Sequence, residues 1–318
     1  AYNTAVGYSA GAGITTGTDN TIVGGLAGDA IITGEFNVAV GKDALGSDTD
    51  GGYNVGIGAL ALSTQNFTTT TNSYNTAVGG LAGRRITTGI KNVLIGGQAG
   101  DAITDADSNV AVGYASLTTN VLGSKSIAVG EGSLSDQNPA TAADMYNVAV
   151  GHNAGAAVTT GVQNTLVGGI AGDALTVGYQ NVALGYNALS ADTKGARSIA
   201  IGPNALFAQN FTTATDVYNT VIGAVAGSSV TTGTENTLIG GISGDALTDA
   251  DGNTAVGYSS LTSDTLGSKS TAIGRSALAT QNFTTATDSY NTAVGYQAGV
   301  SVTTGTSNLL IGALAGDA

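Results

Sequence analysis

The sequence has no cysteine and no tryptophan, and it holds one methionine, one histidine and two prolines among 318 residues. Without cysteine, neither a disulfide framework nor a thiolate metal site can form, and the redox compartment cannot be read from the chain. Basic residues are scarce, with 9 Lys and Arg against 22 Asp and Glu, so the net charge is −13. This balance argues against binding to nucleic acid or to anionic membranes, which requires a concentrated positive surface.

Long apolar runs are also missing. None approaches the roughly 18–20 residues of a membrane-spanning helix, so we expect no membrane insertion by this part of the chain. No charged and apolar leader opens the sequence, which starts at Ala1 without methionine and stops inside a repeat. We therefore interpret the sequence as a segment of a longer chain.

What the chain does have is small apolar residues and glycine. Hydrophobic residues make up 42% of it, charged residues only 10%, and there are 50 glycines. A disordered segment would carry more charge and fewer aliphatic residues, so we expect an ordered fold built from small side chains.

A five-residue motif recurs along the whole chain: Asn or Ser, three positions that are apolar or Thr, and then Gly. The numbering of successive motifs advances by 17, 17, 17 and then 21, and each such series is one super-repeat. A fixed period of this kind indicates a solenoid, in which each repeat forms one coil. We interpret the chain as one continuous solenoid, with super-repeats at 3–74, 75–146, 147–218, 219–290 and, incomplete, 291–318.

The fourth motif position is Val, Ile or Leu in every repeat. Because side chains alternate between the two faces of a strand, the second and fourth positions share one face. We predict that this face lines a dry interior. The predicted core ladder begins with Val6, Val23, Val40, Ile57, Val78 and Ile95.

The first and fifth positions predict the corners of the coil. A glycine in every fifth position is typical of a corner that needs positive φ or close packing, and the series begins with Gly7, Gly24, Gly41 and Gly58. The Asn in first place can bond the turn backbone, tolerate a left-handed conformation and stack into an amide ladder. The expected fold is therefore all-β, a parallel β-solenoid in which three shorter coils are followed by one longer coil.

Several motifs resemble a known family. The segment Ser126-Ile127-Ala128-Val129-Gly130 and the segment 198–205 are similar to the S-x-A-x-G head repeats of YadA-like trimeric autotransporter adhesins. The segment 291–299 also resembles repeats of phage tail fibres and large secreted surface proteins. The resemblance implies a left-handed parallel β-roll, three chains around one axis, and a role in attachment.

The third motif position is never polar, although it lies on the face opposite to the second and fourth positions. A strand that is apolar on both faces is typically buried on both, so we predict self-association through this position. The alternative is a quiet surface of small residues. The residues predicted to form the self-association face include Ala5, Ile22, Ala39, Leu94, Leu166, Leu238 and Leu310.

Every fourth repeat carries four extra residues, which we interpret as a loop on one face of the solenoid. These loops are candidate interaction sites, and the alternative is that each Phe covers the end of its own coil. The Asn residues also head N-x-S/T sequons and are candidates for glycosylation. The loop residues are Asn66, Phe67, Asn210, Phe211, Asn282 and Phe283.

Metal binding and catalysis find little support. A recurring Gly-Gly-x-x-Gly-Asp segment, together with nearby acids, could give oxygen ligands for Ca²⁺, although solvated turn carboxylates are the favoured explanation. We expect no other cofactor. The Ca²⁺ candidates are Asp101, Asp105, Asp107, Asp245, Asp249 and Asp251. No nucleophile and base, paired carboxylates or phosphate loop can be assembled, so we expect no enzyme.

The sequence thus favours the shaft of an extracellular fibre, from a bacterial cell surface or a phage tail, that self-associates as a homotrimer. At ~4.8 Å for each coil it would be about 86 Å long. The expected partners are other copies of the chain and a host-surface or glycan receptor. The alternative is a filament with a purely structural role. Ice binding is a further class, indicated by a Thr-Thr-Gly segment that starts at Thr15, Thr87, Thr159, Thr231 and Thr303.

Overall fold

The computed structural model describes residues 2–317, in which there is no helix and all regular structure is β. The chain divides after Val162 into two compact units. Each unit contains nine three-residue strands, one for each coil. The expectation of an all-β parallel solenoid is confirmed.

The strands of the first unit coincide with the second to fourth motif positions, where β-branched residues are concentrated. They are β1 (Thr4–Val6), β2 (Thr21–Val23), β3 (Val38–Val40), β5 (Val55–Ile57), β7 (Thr76–Val78), β8 (Val93–Ile95), β9 (Val110–Val112), β11 (Ile127–Val129) and β13 (Val148–Val150). Two-residue strands lie beside the inserted loops, namely β4 (Gly51–Gly52), β6 (Thr71–Asn72), β10 (Gly123–Ser124) and β12 (Ala143–Asp144).

The second unit repeats this arrangement. Its three-residue strands are β14 (Thr165–Val167), β15 (Val182–Leu184), β17 (Ile199–Ile201), β19 (Thr220–Ile222), β20 (Thr237–Ile239), β21 (Thr254–Val256), β23 (Thr271–Ile273), β25 (Thr292–Val294) and β26 (Leu309–Ile311). Its two-residue strands are β16 (Gly195–Ala196), β18 (Thr215–Asp216), β22 (Gly267–Ser268) and β24 (Thr287–Asp288).

Within each unit, successive coils pair in parallel and in register. Thr4 lies opposite Thr21, the same motif position of the next coil. Val55 lies opposite Thr76, so the coil with the inserted loop accommodates its extra residues without losing the register. The period of the sequence is therefore the period of the coil.

The predicted core ladder is wrong, because the third motif position and not the fourth faces the interior. Ala39 and Ala77 are completely buried, whereas Ile57 and Ile95 are 37% and 39% exposed. Of the other residues predicted for the ladder, Val6 and Val23 are exposed, and Val40 and Val78 are half-buried.

The predicted self-association face is wrong for the same reason. Its members Ile22, Ala39, Leu94, Leu166 and Leu238 are completely buried. Ala5 is exposed and Leu310 is half-buried, and both lie in the outermost coils. The coil is thin, so small residues fill most of its third positions. At the one Gly there, Gly56, a Cβ would already lie 3.4 Å from the carbonyl oxygen of Ala61.

The Gly-Gly-x-x-Gly-Asp segments have a packing role. In the second copy, Gly100 has φ +57°, and a Cβ added there would lie 2.8 Å from a methyl carbon of Leu94. The same relation holds between Gly172 and Leu166. The last Gly of the segment therefore makes room for the large third-position residue that each super-repeat buries.

The predicted corner glycines are confirmed. Gly7, Gly24, Gly41 and Gly58 have φ values between +132° and +139°. A Cβ on Gly24 would lie 2.5 Å from the carbonyl oxygen of Gly41, the equivalent corner of the next coil. Both positive φ and close approach therefore require glycine.

The predicted amide ladder is also confirmed. The side-chain nitrogen of Asn20 donates to the carbonyl oxygen of Gly34 over 2.8 Å, and its Oδ1 accepts from the backbone N–H of Asn37 over 2.9 Å. These Asn residues are buried. The left-handed residue is the one before the Asn, such as Phe36 with φ +56°.

Candidate interaction surfaces

The outward face of the three-residue strands is uncharged along both units, and its second position holds either Thr or an aliphatic residue. The fourth motif position is Val, Ile or Leu in every coil, and it points away from the interior with the second position. No charged residue occupies either position in any coil. Soluble proteins rarely leave a large apolar area in water unless it binds something, so the aliphatic parts of this face are candidate contact surfaces.

One part of this face is aliphatic at every outward position. It spans the four neighbouring strands β8, β9, β11 and β13, which pair in register. We call these eight side chains the aliphatic stretch: Val93, Ile95, Val110, Val112, Ile127, Val129, Val148 and Val150. All eight are half-buried or exposed, so the stretch offers a dry contact surface without a polar group.

The inserted loops are anchored by a buried carboxylate. Asp48 Oδ2 accepts from Gln65 Nε2 over 2.6 Å, and its Oδ1 accepts from the backbone N–H groups of Gly51 and Phe67, each over 3.1 Å. Asp192 and Asp264 make the same contacts with the later loops. Each carboxylate thus holds the Gln and the start of the inserted loop against the preceding coil, to which the carboxylate belongs.

The Phe residues of the loops are buried, so they are not contact residues as predicted. Phe67 and Phe211 are each 8% exposed and Phe283 is 6% exposed. The alternative given by the sequence, that each Phe covers its own coil, is correct. The Asn residues beside them, Asn66, Asn210 and Asn282, are exposed. They remain candidates for contact and for glycosylation.

The second loop departs from the others in two linked positions. Pro139 stands where the other loops have Phe, and Asn120 stands where they have Asp. Proline has no N–H to donate to a buried carboxylate, and the residue there is a neutral amide, which bonds both backbone polar groups of Gly123. The second loop therefore lacks both the buried carboxylate and the backbone N–H that donates to it in the other loops.

The buried carboxyl of Asp48 should make the stability of the fold depend on pH. Burial is the main cause that raises the pKa of its carboxyl above the ordinary value, against the lowering effect of the Gln65 hydrogen bond. A folded-state pKa above the unfolded value means that folding favours the proton. The contribution of Asp48 to stability is therefore full below the unfolded pKa, and it is lost as pH rises through the folded pKa.

As pH rises from the unfolded to the folded pKa of Asp48, we expect the free energy of unfolding to fall more in the native chain than in an Asp48→Asn variant. Urea unfolding of both chains at a series of pH values measures the difference, because every other group titrates in both. A difference that does not change with pH would contradict the burial argument.

A basic residue, an Asp and a Tyr meet where each of three loops ends. Lys125 Nζ lies 2.6 Å from Asp144 Oδ2, which also accepts from the Tyr146 hydroxyl over 3.1 Å. The Lys125 hydrogen bond is the main cause that lowers the pKa of Asp144. The other two clusters are Arg197 with Asp216 and Tyr218, and Lys269 with Asp288 and Tyr290. Sequence reasoning missed them, although their recurrence at the same place in successive super-repeats was visible.

The Ca²⁺ candidates do not come together. Residues 2–317 contain no group of three or more His, Cys, Asp or Glu side chains that could hold a metal ion. The candidates bond other groups instead. Asp101 pairs with Arg84, Asp105 with Thr87 and Thr88, Asp107 with the Ile90 N–H, Asp245 with Thr262, Asp249 with Thr232, and Asp251 with Thr234.

Between residues 2 and 317 the structure forms no ligand-sized pocket, and none of its elements is a helix that could cross a membrane. Comparison with protein-family models, with curated proteins and with solved structures gave no match. The surfaces themselves are therefore the basis for a functional proposal.

Proposed function

We propose that this chain is a structural rod segment of an extracellular fibre, which self-associates side by side through the aliphatic stretch. The observation that carries the proposal is the outward face of β8, β9, β11 and β13, where both outward positions are aliphatic in four successive coils. Stacked coils give a repetitive scaffold in which each coil is hydrogen-bonded in register to the next. A scaffold role requires no catalytic group.

Hydrophobic burial supports association at this face. Each Å² of apolar surface removed from water contributes about 25 cal/mol, and no charge has to be desolvated. Copies with a net charge of −13 repel each other, so salt should strengthen the association by screening this repulsion. A homotrimer, as the family resemblance implies, and a filament are the two assemblies that would cover the face.

The inserted loops support a role in attachment. Asn210 and Asn282 are exposed at equivalent positions four coils apart, which corresponds to about 19 Å along the solenoid. The basic, acidic and Tyr clusters present aromatic rings on the same coils, as Lys269 does with Tyr290. Many weak contacts at fixed spacing add up through effective concentration, which suits a host-surface or glycan receptor.

Two settings fit this proposal, a bacterial surface adhesin and a phage tail fibre. A filament with a purely structural role is the alternative, in which the loops bind nothing. Binding of the purified chain to a glycan array separates the alternatives, since attachment requires a ligand for the loops and a filament does not.

Val112→Lys tests the association. Val112 lies on β9 within the aliphatic stretch, and a Lys there would place a charge in a dry contact. We expect the native chain to sediment as an oligomer and the variant to sediment mainly as a monomer. Analytical ultracentrifugation at low and moderate salt measures both states.

Ser108→Lys is the matched control. Ser108 is exposed at the end of the preceding coil, four residues before Val112, and the equivalent positions of the two coils adjacent to its own already hold Lys91 and Lys125. The control adds the same charge but leaves the outward face intact, so it should still associate. A native chain that is monomeric at all concentrations would overturn the proposal.

A further inference from the structure

Five successive coils of the second unit have Thr at the outward second position. We call this set the threonine file: Thr220, Thr237, Thr254, Thr271 and Thr292. Each Thr lies directly opposite the next one in the parallel register. The hydroxyls therefore form one row with a spacing of about 4.8 Å.

A second row runs beside the file. The fourth positions of the same strands are Ile222, Ile239, Val256, Ile273 and Val294, two residues or about 6.6 Å away along each strand. The ten side chains alternate hydroxyl and methyl groups and include no charge. A regular two-dimensional array of small uncharged groups is the result.

The hydroxyls of the threonine file are free to bind a ligand. Across residues 2–317, none of the five hydroxyls makes a hydrogen bond with another protein group, and all five side chains are partly accessible. By contrast, several of the corner threonines that first indicated ice binding bond other groups of their own fold. Thr15 Oγ1 donates to the Ile32 carbonyl oxygen and Thr231 Oγ1 to that of Thr248, each over 3.2 Å.

We propose that the threonine file, with the aliphatic row beside it, binds the surface of an ice crystal. Ice presents water oxygens in straight rows whose repeat is close to the distance between β-strands. A hydroxyl both donates to and accepts from such oxygens, and the methyl groups order the water between the rows. An uncharged face is complementary to an uncharged crystal, whereas carboxylates and cations would hold disordered hydration shells.

The hydroxyls also favour ice over a second copy of the chain as the occupant. A dry contact would bury five hydroxyls, and each one left without a partner costs about 1–3 kcal/mol. Ice supplies a partner for each. The aliphatic stretch of the first unit carries no such hydroxyls, so association and ice binding use different parts of the outward face.

Thermal hysteresis and inhibition of ice recrystallisation by the purified chain test the proposal. We expect both activities in the native chain and their loss in Thr254→Lys, which places a charged side chain in the middle of the file. Thr285→Lys is the control, because Thr285 is exposed on an inserted loop outside the three-residue strands that carry the file, so the substitution should leave the activities unchanged.

A second variant separates ice binding from misfolding. Thr254→Val with Thr271→Val should fold, since Val38, Val110 and Val182 occupy the same position in other coils, and it removes only hydroxyls. We expect a several-fold loss of thermal hysteresis with an unchanged circular dichroism spectrum. Inactivity of the native chain, or full activity of either file variant, would overturn the proposal, and Val112→Lys should stay active because it alters only association.

Discussion

Gly79→Ala is expected to lower the free energy of unfolding by about 3–5 kcal/mol, because it adds both backbone strain and overpacking. Gly79 has φ +139°, which side-chain-bearing residues rarely adopt. The new Cβ would lie 2.5 Å from the carbonyl oxygen of Gly96, a backbone atom that cannot move without shifting the next coil. Thermal unfolding followed by circular dichroism measures the loss.

The neighbouring glycine provides the control. A Cβ on Gly80 has no atom within 4 Å, and its φ lies outside the left-handed region. We expect Gly80→Ala to change stability by no more than about 0.5 kcal/mol. Equal effects of the two substitutions would show that close approach at the corner is not what requires glycine.

Asn92→Ala should be nearly as damaging. Asn92 donates to the Ala106 carbonyl oxygen over 2.9 Å and accepts from the Asn109 N–H over 3.0 Å, and both contacts are buried. Removing the amide leaves two buried backbone groups without a partner, at about 1–3 kcal/mol each. Urea unfolding measures the loss, and hydrogen exchange should become faster at the Asn109 amide.

Asn66→Ala is the comparison for this prediction. Asn66 is exposed on an inserted loop, and its Oδ1 accepts only a 3.3 Å contact from Thr49. Its loss should cost less than about 0.5 kcal/mol. If Asn92→Ala lowered the free energy of unfolding as little as Asn66→Ala, the amide ladder would not contribute to the stability of the fold.

The period of the sequence predicted the coil, but it could not predict which face of the strand lies inside. Neither face carries a charged residue, so the two-residue alternation of apolar and polar side chains that usually separates core from surface gives no answer. The invariant aliphatic position looked like the core, yet Ile95 lies outside and Leu94 inside. The small residues at the third position were the usable signal, because a thin coil brings opposite walls close together.

The prediction that the Phe residues of the inserted loops are contact residues failed for a different reason. Whether the Phe67 side chain is buried depends on the room that the neighbouring coils leave for it, and the local sequence does not reveal this. The anchoring carboxylate was visible in principle, since Asp48, Asp192 and Asp264 hold the same place in their super-repeats and Asn120 replaces them in the copy with Pro139. That paired exchange links two distant positions within one chain, without any comparison between proteins.

The amide ladder gives each unit a direction. Asn20 offers its oxygen to the backbone N–H of Asn37 in the following coil and its nitrogen to the carbonyl oxygen of Gly34, and Asn92 does the same with Asn109 and Ala106. A partly folded stack therefore presents unlike chemistry at its two ends, an unfilled acceptor at one and an unfilled donor at the other. Coils should therefore fold onto the stack, and unfold from it, at different rates at its two ends.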